Sequence, residues 1–313
     1  MQFYNRPKLI DEAAASSFMA KKGKKPGLFI LLDLLLIFVV FYSCMIVESI
    51  GFLILRIPYD MRMKIFPPRE TILGLDFDDY LELATLLVTL GATVLTLLYV
   101  RFVQFRKLRT AGFVKKNAVK HYLIGLLVGA GMYTVAMGIC ALFGSLKVSY
   151  AGGFSPVVIL VLFVGWMIQG NSEEVICRGF ILVSTSRRYH VIVGIIINSL
   201  FFSLIHIFND GVSVLPLINI ALFGLVMSLV FLKTGNIWMV SAIHTAWNFA
   251  QGNVFGVLVS GGEVSEKILS TEFTVGKELI NGGDFGLEGG LGVTIVLAVT
   301  IAVLLFVKPC KDV

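Results

Sequence analysis

Three short stretches of this 313-residue chain place polar side chains at helical spacing inside otherwise apolar sequence. In Glu173-Glu174-Val175-Ile176-Cys177-Arg178, Glu174 and Arg178 are four residues apart, on one face of a helix and within ion-pair reach, while Glu173 points about 100° away. Phe202 and His206 share a face by the same spacing, and so do His244 and Asn248. A carboxylate beside an imidazole in a water-poor cavity can deprotonate water, because a poorly hydrated carboxylate is a stronger base. An imidazole and a carboxamide one turn apart are donors suited to a developing oxyanion. The set therefore contains the parts for hydrolysis by activated water. It holds no obvious nucleophile: Ser172 and Ser203 have no base at helical spacing, and Cys177 lies on a face that matches neither histidine.

Apolar helices must carry these groups. Hydrophobic residues make up 57% of the sequence, charged residues only 15%, and the mean hydropathy is +0.89, which excludes an ordinary soluble domain and makes the bilayer the solvent. A helix needs roughly 20 apolar residues to span the hydrocarbon core. Apolar segments at 28–55, 81–100, 122–144, 156–186, 190–208, 214–232, 236–259 and 290–307 predict eight spanning helices in an all-α, polytopic membrane protein. The first is read as a retained helix, too long for a signal-peptide core and without a small-residue cleavage site. Ionisable groups at membrane depth are functional candidates by default, since they cost several kcal/mol unless paired or hydrated.

The Lys and Arg count sets the orientation. With the N-terminus inside, the inner segments hold 18 of the 26 basic residues, seven of them between Arg101 and Lys120, and the outer loops hold seven. Arg178 alone falls within the membrane. Both termini are thus expected on the cytoplasmic side, as a basic tail over 1–26 and a short one over 309–313, around a single transmembrane domain over 27–308. The net charge of +6 follows from this topology, and no nucleic-acid partner is needed to account for it. Residues 260–289, rich in Gly and acidic side chains, are expected to form a flexible outer loop. Gly125, Gly129 and nearby Gly131 form a small-residue face suited to close helix packing.

Depth decides whether the polar groups can meet. From turns near Arg187 and near Thr234, the helical rise places Glu173 about 22 Å, His206 about 27 Å, His244 about 14 Å and Asn248 about 20 Å along their hairpins. Both hairpins turn on the same side, so all four side chains fall in one slab. His121 and His190 sit at helix edges and read as interfacial; Asp33 and Glu48 are further intramembrane acids, read as helix-pairing or water-facing groups.

The stretches EEVICR, FSLIH and HTAWN resemble the three motifs, EExxxR, FxxxH and HxxxN, of the CAAX-protease and bacteriocin-processing (Abi) family, which includes the type II CAAX prenyl proteases. The motifs stand in that order over about residues 155–260, with no departure at the polar positions. The resemblance implies an eight-helix bundle with its site inside the membrane and an intramembrane protease of glutamic type. It implies that Glu173 with His206 activates the water, that His244 and Asn248 hold the oxyanion, and that Glu174, Arg178 and Phe202 brace them. It also implies a membrane-associated peptide or protein substrate in the lipid bilayer and no cofactor. Substrate identity does not carry over, because members include prenyl-protein proteases, processors of secreted peptides and bacteriocin-immunity proteins.

Three alternatives stand beside this reading. Glu173, His206 and His244 have the donors for Zn²⁺, against which stand the missing HExxH motif and the Asn at the fourth position. A non-catalytic scaffold or immunity protein retaining the motifs is the second. A transporter is the third, set aside because no inverted repeat is evident. The scattered Cys44, Cys140, Cys177 and Cys310 suggest neither disulfides nor a zinc knuckle, and Cys310-Lys311-Asp312-Val313 lacks the aliphatic positions of a prenylation box. Few charges, compact loops and no organelle-targeting feature lead to the expectation of a multi-pass protein of a bacterial plasma membrane.

Overall fold

The computed structural model describes residues 7–15, 75–308 and, between 35 and 54, residues 35, 38, 39, 42–47, 49–51, 53 and 54. Asp33, Glu48, half of the first expected span and the tail at 309–313 lie outside the described residues.

A short amphipathic helix, α1 (Lys8–Ala15), buries Leu9, Ile10 and Ala13 against the rest of the protein. Helix α2 (Phe77–Leu98) starts at a reciprocal cap in which the Asp79 amide donates to Asp76 at 3.0 Å and the Asp76 amide donates to Asp79 at 3.3 Å. Helix α3 (Ala118–Leu142) follows, then strand β1 (Leu146–Tyr150). Helix α4 (Pro156–Ser186) begins with Ser155 as its cap and Pro156 in its first turn, where the missing amide costs nothing. Its middle, Val175–Leu182, is wound as a wider π-helix directly after the two glutamates. Helix α5 (Val191–Leu204) is capped by His190, α6 (Val214–Thr234) ends on Gly235 at φ 58°, and α7 (Ile237–Phe249) is capped by Asn236 and prolonged by a π-turn, Ala250–Val254. Strand β2 (Leu269–Phe273), the single turn α8 (Glu278–Asn281) and helix α9 (Leu291–Phe306) complete the described chain.

Among the described residues, four helical stretches are long and apolar enough to cross a membrane: Asp78–Val103, Ala118–Leu142, Pro156–Ser186 and Val214–Thr234. Helices α5 and α9 are apolar but shorter, at 14 and 16 residues. The surface agrees with a lipid environment, since Leu90, Leu127, Ile196, Leu200, Val299 and Val303 all stand exposed on the outer faces. The protein is a helical membrane protein.

Helix α5 differs from its expected extent of 190–208. Apolar sequence continues through Phe208, but after Leu204 the chain tightens into turns in which the His206 amide donates to Ser203 and the Ile207 amide to Leu204. His206 therefore sits on a turn beyond the helix. Hydropathy cannot see this, because a turn backed by apolar packing has the same composition as a helix end.

Helix α7 is central, held against α3 on one side and α4 on the other. A Cβ on Gly129 would lie 2.2 Å from the Ile243 carbonyl oxygen, and one on Gly125 would lie 2.5 Å from that of Met239, so these glycines let α3 and α7 touch backbone to backbone. Gly131 meets nothing within 4 Å and is not part of that contact. On the other side, a Cβ on Gly170 of α4 would lie 3.0 Å from the Thr245 amide.

The stretch 260–289, expected as an outer loop, carries strand β2, the turn α8 and buried side chains. Strand β2 pairs antiparallel with β1, Leu146 opposite Phe273. Phe285 and Leu287 are buried, and the Asn281 side chain donates to the Ser145 carbonyl at 2.8 Å. Its many glycines serve tight turns: Gly282 at φ 88° and Gly286 at φ 90° adopt backbone that side chains disfavour.

Candidate active site

All four expected reactive side chains, Glu173, His206, His244 and Asn248, line one cavity of about 300 Å³ between α4, α6 and α7. Phe202 lines it as well, together with Gln169, Asn209, Asn219, Phe223, Trp247, Ser260 and Glu288.

Glu174 and Arg178 lie beneath the cavity, both fully buried, with Arg178 Nη1 donating to Glu174 Oε1 at 3.0 Å. The same carboxylate oxygen accepts from His244 Nδ1 at 2.9 Å. That bond fixes the imidazole orientation and turns Nε2 toward Glu173, whose Oε2 is 3.7 Å away. Arg178 is held further by the Gly224 carbonyl at 3.1 Å and by the face of Phe202, 4.7 Å from the guanidinium carbon. Phe202 also stands edge-on to His206 and His244, with ring centroids 5.1 and 6.0 Å away, and so packs on both imidazoles while covering the guanidinium.

Glu173 is partly accessible from the cavity, its side chain 24% exposed. Its Oε1 accepts from the Gln169 side-chain amide, and Gln169 Oε1 in turn accepts from Asn248 Nδ2 at 3.2 Å. A continuous polar chain therefore runs from Asn248 through Gln169, Glu173, His244 and Glu174 to Arg178. Gln169 is a member that the sequence reading missed, although a glutamine one turn before Glu173 in an apolar helix carried the signal.

His206 reaches the cavity from the turn after α5, with Nδ1 2.8 Å from the Phe202 carbonyl oxygen. If Nδ1 carries the proton toward that carbonyl, Nε2 is left as an acceptor. Among the described residues His206 makes no ion pair with either glutamate; the imidazole at ion-pair distance from Glu173 is that of His244.

Glu288 is the second group that the motifs did not contain. It comes from the stretch expected to be a loose loop. Its carboxylate accepts from Trp247 Nε1 at 2.9 Å, from the Ser260 amide at 3.1 Å and from the Ser260 hydroxyl at 2.8 Å. Its carbonyl and that of Gly290 accept from Asn219, at 2.7 and 3.0 Å. This segment thereby closes one end of the cavity and ties it to α6 and α7. No local pattern in the sequence distinguishes Glu288 from its acidic neighbours, since its role depends on a contact across 41 residues.

The candidate nucleophiles face away. Ser172 donates to the Thr89 carbonyl at 2.8 Å, Ser203 to the Leu217 carbonyl at 2.7 Å, and Cys177 is wholly buried in the apolar core. Among the described residues no three His, Cys, Asp or Glu side chains are grouped as a ready ligand set for a metal ion.

Residues 154–250 match the family model described as type II CAAX prenyl endopeptidase Rce1-like. The matched stretch runs from the residues before α4 to the first residue after α7 and holds every side chain of the three motifs. The resemblance read from those motifs thus falls on a segment of the CAAX-protease type. No curated protein matches the chain.

Proposed function

We propose that this protein is an intramembrane endopeptidase that hydrolyses a membrane-associated peptide or protein with water activated by Glu173. The observation that carries the reading is the convergence of Glu173, His206, His244 and Asn248 on one cavity, with the polar chain behind it anchored on a buried Glu174–Arg178 pair. The family match over the same residues supports the peptidase class.

In this reading the Glu173 carboxylate takes a proton from water as the oxygen attacks the scissile carbonyl, with His206 Nε2 orienting that water from the opposite wall. The carbonyl electrons move to oxygen, and the Asn248 amide donates to the oxyanion. His244 adds a second donor only as the imidazolium, because Nδ1–H is committed to Glu174 and the neutral ring has no proton left for Nε2. On collapse, the proton held by Glu173 passes to the leaving amine. Gln169 holds the Glu173 carboxylate in place throughout.

The reading extends to eight spans with both ends on the basic, cytoplasmic side, the shorter α5, α7 and α9 crossing in company with longer neighbours, in a plasma membrane. Substrate anchored by a lipid, a leader or a helix reaches the cavity by lateral diffusion. No metal takes part in the proposed step. Metal analysis of the purified protein with and without His206→Ala tests that: stoichiometric zinc, lost in the variant, overturns it in favour of a zinc hydrolase.

The decisive experiment is quantitative membrane peptidomics on cells expressing the wild type or Glu173→Gln at matched levels. Fragments found only with the wild type identify substrate and bond. Identical peptide pools, with an unchanged phenotype, replace the enzyme with a non-catalytic scaffold or immunity protein.

A further inference from the structure

The connections between helices gather at two ends of the bundle. At one, the Ile237 amide donates to the Gly112 carbonyl at 2.9 Å and the Lys233 ammonium donates to the Val307 carbonyl. At the other, β1 pairs with β2, and the Ser265 amide and hydroxyl donate to Glu82 at 2.7 and 2.9 Å. The two ends carry opposite charge. Twelve of the described Lys and Arg residues stand at the first: Lys8 on α1, seven over 101–120, Arg187, Arg188, Lys233 and Lys308. The second holds three, Lys147, Lys267 and Lys277, against eleven described acids, four at the start of α2 and seven from Asp210 to Glu288.

The candidate active-site cavity reaches the acidic end and stops short of the basic one. Asn209, Ser260 and Glu288, all from acidic-end connections, line it, and the Asn209 side chain donates to the Ser260 carbonyl at 2.9 Å. Toward the basic end the fully buried Glu174–Arg178 pair closes the floor, and Phe180, Met227 and Phe231, each at most 1% exposed, fill the bundle below. A peptide arriving from that end would have to break a buried ion pair and unpack this layer to meet Glu173. Segments rich in Lys and Arg stay on the cytoplasmic side of a membrane. The basic end therefore faces the cytoplasm, and the cavity opens away from it. The whole sequence agrees, with 18 basic residues on the one side against seven on the other.

We propose that the cavity opens to the extracytoplasmic face and that its substrate is an exported polypeptide, cut on that face while an anchor holds it in the outer leaflet. The assignment of the substrate rests on the peptidase reading above; the side on which the cavity opens does not. Translocation of the substrate must precede its cleavage. A lipidated tail presented from the cytoplasmic leaflet would meet the sealed end of the bundle instead.

The full chain carrying Cys310→Ser is produced in a bacterium, and spheroplasts are treated with a membrane-impermeant maleimide before or after lysis. Cys44, Cys140 and Cys177 are buried and leave the background low. Glu263→Cys, exposed at the acidic end, is expected to label as fully in intact spheroplasts as after lysis. Lys115→Cys, exposed at the basic end, is expected to label only after lysis. A second exposed pair, Glu272→Cys and Lys120→Cys, should repeat this contrast and replaces the first if either variant fails to accumulate. Reversed labelling overturns the proposal. Bonds cut with the wild type and spared with Glu173→Gln are then mapped by membrane peptidomics and are expected in exported segments. Cuts confined to cytoplasmic segments overturn the proposal as well. An absence of fragments alongside the expected labelling overturns the peptidase reading, and the substrate with it, and upholds the outward-opening cavity.

Discussion

Replacing Arg178 by Met while keeping Glu174 tests whether the buried pair holds the site together. Both side chains are fully excluded from solvent, so the change leaves a carboxylate in the interior with His244 as its single partner. Breaking such a pair from one side costs about 3–5 kcal/mol. The Gly224 carbonyl contributes little to that figure, because it still accepts from the Ser228 hydroxyl at 2.7 Å. Loss of the cation above Phe202 adds up to about 2 kcal/mol, which places the expected total at the upper end of the range. Glu174→Gln alone strands the guanidinium instead and is expected to be costly as well. The double variant, Glu174→Gln with Arg178→Met, removes both charges and keeps a side-chain oxygen for His244 Nδ1–H. It should therefore be more stable than Arg178→Met alone, by about 2 kcal/mol or more. Equilibrium unfolding in mixed detergent micelles, run on all four proteins as a double-mutant cycle, measures this. If the two single changes simply add, the electrostatic account of this pair is wrong.

Gly129→Ala places a methyl against the Ile243 carbonyl and must push α3 from α7, next to His244, whereas Gly131→Ala meets nothing. The first is expected to lose about 3 kcal/mol and the second to stay neutral or gain up to about 1 kcal/mol, read by the same unfolding assay. Glu288→Gln weakens three accepted bonds and should cost about 1–3 kcal/mol. It should show as faster proteolysis within 255–290, and unchanged cleavage would mean that the segment is held by its apolar contacts alone. Gln169→Leu frees Glu173 Oε1 and Asn248 from their shared partner. Once a substrate is known, it should lower kcat more than it raises KM, and an effect on KM alone would make Gln169 a binding residue.

The membrane-helix class, the elements α2, α3, α4 and α6 within a few residues, and the Gly125 and Gly129 contact were legible in the sequence. So were five of the side chains that share the cavity, Glu173, Phe202, His206, His244 and Asn248, but not Gln169 or Glu288. Hydropathy over a window longer than a helix turn reports burial in lipid, and spacings of four residues report helix faces, so local sequence is enough for both. Sequence also placed Glu174 and Arg178 within reach of one another, because both lie on one helix. The tertiary structure decided everything that depends on packing between elements. It ended α5 at Leu204 and put His206 on a turn. It turned His244 toward Glu174 through Nδ1 and made it the imidazole beside Glu173. It also brought Glu288 across the chain to close the cavity, in a stretch whose glycines and acids resemble a disordered loop until β2 pairs with β1. Composition and spacing carry no record of which distant backbone a polar atom will meet, and those partners arise only when the helices have packed.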